Sequence, residues 1–155
     1  MKKIKFLTFL LSIVFCGLVF SQQQSSKIDT TLYLKTNNLS DLKISLAQCA
    51  GQWNYVLILT KNGVIKFPDK DAAMQNWLRS SKDILNVANG LPGGDVTKIA
   101  EDFNKKLISR HMEIAAEHGQ SQKAVELAVN LAMSGSKKCS DFLLSDEYSR
   151  ALSRK

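Results

Sequence analysis

Two cysteines, Cys49 and Cys139, stand ninety positions apart in a chain that opens with an export signal. In an oxidising compartment such a pair reads as a disulfide, and that bond ties an early segment of the fold to a late one. Two buried free thiols are one alternative. A redox-active pair is another, but the chain lacks the Cys-x-x-Cys spacing that lowers a thiol pKa. In the chain-entropy model a closed loop of this length stabilises by roughly 4–5 kcal/mol.

The export signal is MKKIKFLTFLLSIVFCGLVFS. Lys2, Lys3 and Lys5 form its positive region, and the apolar run extends from Phe6 to Phe20. Val19 and Ser21 suit the −3 and −1 positions of a cleavage site, so residues 1–21 are expected to be a cleaved signal peptide. The run is about 15 residues, short of the ~20 that a spanning helix needs. Cys16 as a lipid-anchored residue is disfavoured by bulky Phe15 before it and by the apolar residues after it. The expected location is the periplasm or the outside of the cell. No stable membrane insertion is expected once the signal is cut.

Cleavage leaves one domain's worth of chain, long enough to bury a core. Removing three lysines from 21 basic and 14 acidic residues lowers the formal charge from +7 to +4. The densest basic groups are Lys105, Lys106 and Arg110, then Lys137 and Lys138. No aromatic residues interleave with them, so a nucleic-acid surface is not expected.

Residues 22–38 are polar and read as a partly ordered lead-in, with Thr31 to Lys35 able to form a short strand that nothing nearby pairs. Residues 39–155 read as a single helical domain. From a Ser40 N-cap, Leu42, Leu46, Cys49, Ala50, Trp53, Val56 and Leu57 recur at helical steps. Asn62–Gly63 between two apolar runs is also a hairpin signal, leaving residues 53–67 open between helix and hairpin. The longer stripe favours a helix over 40–62, with Gly63 as its left-handed C′ residue.

A second helix is expected after Pro68, with Met74, Trp77, Leu78, Ser81, Ile84, Leu85 and Ala88 as its stripe. Asp95 caps a third, which Gly119 ends, and Ser121 caps a fourth over 122–134. The fourth is apolar nearly all round, which predicts that it is the central helix. Ser134-Gly135-Ser136-Lys137-Lys138 reads as a loop. Cys139 then opens a tail helix that packs through Phe142, Leu143, Leu144, Tyr148 and Leu152. The expected fold is all-α, a bundle of four to five helices stapled by Cys49–Cys139. Gly51 beside Cys49 is expected to let the tail helix come close.

Chemistry is sparse. His111 and His118 lie two turns apart, too far to share a metal, and read as partly buried, hydrogen-bonded residues. Glu113 and Glu117 read as solvated surface, Trp53 and Trp77 as core. Asn38-Leu39-Ser40 fits a glycosylation sequon. Phosphate-binding loops and nucleophile motifs are absent. No catalytic residue, metal ligand or cofactor is expected.

Leu46-Ala47-Gln48-Cys49-Ala50-Gly51 resembles a segment of small exported helical bacterial proteins without assigned activity. Lys138-Cys139-Ser140-Asp141-Phe142-Leu143-Leu144-Ser145-Asp146-Glu147 looks like the end of periplasmic immunity proteins that neutralise type VI secretion amidases. That likeness is confined to one end, and the middle of the chain lacks the family's pattern. It implies an all-α, disulfide-bearing protein that plugs a toxin's active site. The leading expectation is a non-catalytic helical protein that binds an unidentified protein partner, with amidase immunity as the alternative. An envelope-associated helper and a small enzyme are the rival classes.

Overall fold

The structure, a computed structural model, describes residues 30–35 and 38–154. The signal peptide, its cleavage site and Cys16 lie outside the described residues. Five helices follow in order: α1 Leu39–Lys61, α2 Lys70–Asn89, α3 Val96–His118, α4 Gln122–Leu143 and α5 Asp146–Leu152. No strand occurs among the described residues.

Each helix starts where a short polar side chain accepts an otherwise unpaired N–H. Asp69, Asp95, Ser121 and Ser145 cap α2 to α5. The cap of α1 is Asn38, whose Oδ1 accepts the Asp41 N–H at 2.8 Å; Ser40, the expected cap, lies inside the first turn. At the far end of α1, Gly63 adopts φ +74. The Val64 N–H then reaches the Leu59 carbonyl at 2.9 Å and the Gly63 N–H that of Thr60 at 3.1 Å. This double closure satisfies the last carbonyls and turns the chain away, so Asn62–Gly63 ends a helix and makes no hairpin.

The first four helices alternate in direction. Ser81 of α2 bonds the Ala50 carbonyl at 3.3 Å, Gly51 meets Ala100 of α3, and Gln52 reaches Ala132 of α4 at 2.8 Å. All three neighbours converge on one stretch of α1, so α1 is the central helix. Fourteen of its 23 residues are buried, against six of the 22 in α4. This corrects the expectation that the fourth helix is central. α4 packs through small residues, Ala124, Ala128, Ala132 and Ser136, and leaves much of its aliphatic surface outside.

Three further corrections concern the C-terminal part. Residues 134–138 are helical, and α4 runs on to Leu143. Gly135 there is a close-approach residue: a Cβ would lie 2.3 Å from the Gln52 side chain. The Lys137–Asp141 pair at 2.7 Å bridges adjacent turns and supports the same stretch. Cys139 consequently belongs to α4, and the tail helix is the short α5. Leu144, expected to pack, is 86 % exposed as the C-cap of α4. Gly51 serves α3, not the tail, since a Cβ would lie 2.4 Å from the Ala100 carbonyl oxygen.

The buried polar side chains Lys43, Ser45, Gln52 and Thr60 of α1 all have partners, whereas the buried Trp53 Nε1 has none. Lys43 Nζ donates to the Leu91 carbonyl at 2.9 Å and holds the loop that ends α2. Thr60 Oγ1 bonds back to Val56 at 2.8 Å. Cys49 and Cys139 are bonded, with Cα atoms 5.5 Å apart and no exposed surface.

Candidate functional site

Tyr55 is the largest fully buried side chain, and its hydroxyl pairs with His111 Nδ1 on α3 at 3.0 Å. The imidazole meets the phenol ring edge-on, with centroids 6.1 Å apart. Burial pushes the Tyr55 hydroxyl pKa well above its ordinary 10.0, so the phenol is neutral. The pair is thus a polar link between α1 and α3. Trp53 and Trp77 pack with centroids 6.4 Å apart and join α1 to α2, with Trp53 itself buried.

His118 faces elsewhere. It lies with Arg110 and Glu117 on the rim of a groove between α3 and α4, whose apolar lining is Ile114, Leu127, Leu131 and Met133. Its volume is about 470 Å³. Arg110 bonds Glu113 at 2.8 Å and approaches Glu117 at 3.9 Å, while His118 Nε2 stands 3.9 Å from the other Glu117 oxygen. A catalytic reading requires such a groove beside His118 or Glu117. The Glu117 carboxyl there is 58 % exposed. Among the described residues no three His, Cys, Asp or Glu side chains gather as a metal site would need. No helix there is long and apolar enough to cross a membrane.

A second groove, of about 330 Å³, lies between Leu34 of the lead-in and Lys138, Asp141, Phe142, Ser145 and Glu147. The backbone N–H of Glu147 and the Ser145 hydroxyl hold the Glu147 carboxyl below its ordinary 4.5. Phe142 and Tyr148 pack at 5.6 Å beneath this end of the bundle. Five residues of the 138–147 stretch, Lys138, Asp141, Phe142, Ser145 and Glu147, line this concave surface.

Sequence reasoning placed Cys49 with Cys139 and both histidines on α3. It missed both grooves. The first is lined by residues of α3 and α4, and the second by Leu34 of the lead-in with the end of α4 and the start of α5; neither has a local motif. No protein-family model, curated protein or solved structure matches this chain.

Proposed function

We propose that this is an exported, non-catalytic helical protein that binds another protein in the periplasm or outside the cell. The observation that carries this reading is the outer surface of α4. The bundle covers α4 through Ala124, Ala128, Ala132, Ser136, Cys139 and Phe142, leaving Val125 and Met133 exposed and Leu127 and Leu131 in the groove with α3. Aliphatic surface in excess of what the core uses is a common mark of a docking face. An amphipathic helix of a partner is the shape that such an interhelical groove takes.

The test is affinity capture by the wild-type protein and by Leu131→Glu and Met133→Glu variants, with mass spectrometry of what is retained. A specific protein retained by the wild type and lost by both folded variants is expected. Equal retention by all three sinks the reading. Amidase immunity is the second reading, favoured by the concave lining at Lys138–Glu147. Protection of cells against a secreted peptidoglycan amidase would support it, and no protection would end it.

A further inference from the structure

Residues 30–35 form an extended strap over α1, without a strand to pair with. An extended chain carries N–H and C=O groups that need partners. Side chains of α1 supply them. The Tyr33 N–H donates to Gln48 Oε1 at 2.7 Å. The Ser45 hydroxyl lies against the carbonyls of Tyr33 and Lys35, the latter at 3.2 Å, and against Asp41 of its own helix at 2.9 Å. Its one proton serves one of these at a time. Burial along the strap alternates as in a pleated chain: Leu32 is in the core, Leu34 half-buried, Thr31, Tyr33 and Lys35 exposed. Outside, the Lys35 ammonium sits 4.5 Å from the centre of the Tyr33 ring.

Besides the packing of Leu32 in the core, this hold uses main-chain groups of the strap, as the capture of a bound peptide does. It includes the Tyr33 N–H bond to Gln48, the shared Ser45 hydroxyl, one buried leucine and a second leucine at the edge of the 330 Å³ groove. We propose that the Ser45–Gln48 face of α1, with the adjoining groove at Phe142, recognises an extended peptide of a partner protein, and that residues 30–35 occupy the site as an internal stand-in. The peptide presents a main-chain N–H to Gln48, a carbonyl to Ser45, and two apolar side chains two positions apart. The space beside Leu34 admits Phe or Met at the second position. This inference rests on the protein-binding reading but uses a surface apart from the α3–α4 groove.

Hydrogen exchange on the wild-type protein tests whether the strap opens alone. Amides of residues 31–35 are expected to exchange at least tenfold faster than those of residues 46–56 in α1. Equal protection overturns the proposal. Binding is read with a fluorescein-labelled synthetic peptide of residues 30–35. A chain carrying Leu32→Ser and Leu34→Ser is expected to bind it at least tenfold more tightly than the wild type, and adding Gln48→Ala is expected to reverse the gain. Equal binding by the first two overturns it. If the double variant loses its helical circular dichroism, Leu34→Ala replaces it under the same criterion. None of these substitutions touches α4's outer face, so failure here leaves the α4 surface standing.

Discussion

Helices α1 and α4 are nearly equal in length, 23 and 22 residues, and both are rich in apolar residues. α1 is the axis of the bundle and α4 an outer wall. The difference lies in what surrounds the aliphatic side chains. α1 carries Ala50 and Gly51 where α2 and α3 come close, and its buried Lys43 and Gln52 side chains donate to carbonyls on neighbouring segments. α4 offers a single stripe of small residues for contact and larger aliphatic residues elsewhere. A central helix must admit neighbours on several sides, so close approach and polar satisfaction decide position more than apolar count.

Breaking the link between the two helices has the largest expected effect. Replacing Cys49 and Cys139 with alanine is expected to cost roughly 4–5 kcal/mol in the chain-entropy model. Typical domains have only ~5–15 kcal/mol of stability. Urea unfolding of the variant against the oxidised wild type measures this; a loss under 1 kcal/mol would mean that the staple is incidental.

Gly51 and Gly135 sharpen the comparison, since each accepts an intruding group. Gly51→Ala pushes against the backbone of α3, which cannot rotate aside, and is expected to cost about 3 kcal/mol. Gly135→Ala pushes against the end of the Gln52 side chain and is expected to cost about 1 kcal/mol. Thermal unfolding of both gives the order. The reverse order would place the tighter contact at α4.

Tyr55→Phe tests the polar tie of α1 to α3, and is expected to cost about 1 kcal/mol near neutral pH. The raised pKa of Tyr55 adds a pH signature. Above the ordinary 10.0 the unfolded state gives up this proton and the folded state keeps it. The contribution is therefore complete below pH 10 and is lost as pH rises from there toward the folded-state value. Circular dichroism against pH is expected to show a steeper alkaline loss for wild type than for the Phe variant.

The smallest effect on stability belongs to α4's outer face. Val125→Lys is expected to change stability by under about 0.5 kcal/mol. A cost above 2 kcal/mol would show that Val125 packs, and would remove it from any docking face.

Much of this fold was legible before the chain was folded. The starts of α3 and α4 follow from Asp95 and Ser121, and that of α2 from its place after Pro68, because a cap depends on three or four consecutive residues. Gly63 and Gly119, both at positive φ, mark two ends for the same local reason. The Cys49–Cys139 bond was readable from the expected export signal and the cysteine count, and the place of Cys49 on α1 from the helical stripe. What failed depended on partners. Ser134 to Ser136 read as a break because glycine and serine weaken an isolated helix, whereas here Gly135 makes room for Gln52 from 83 positions earlier in the chain. Leu144 counted as core because it is leucine, and nothing near it in sequence shows that α4 ends there with its side chain in water.

The amino-acid sequence by itself determined where α2, α3 and α4 begin and which two sulfurs can meet, because caps, turns and periodic faces are set by neighbours within about two turns. Only the tertiary structure decided that α1 is central, that α4 runs on through its serines and glycine, and that residues 30–35 lie as a strap on Ser45 and Gln48. Those outcomes depend on which surfaces approach within van der Waals distance and which carbonyls find a donor, and both are settled between residues far apart in the chain.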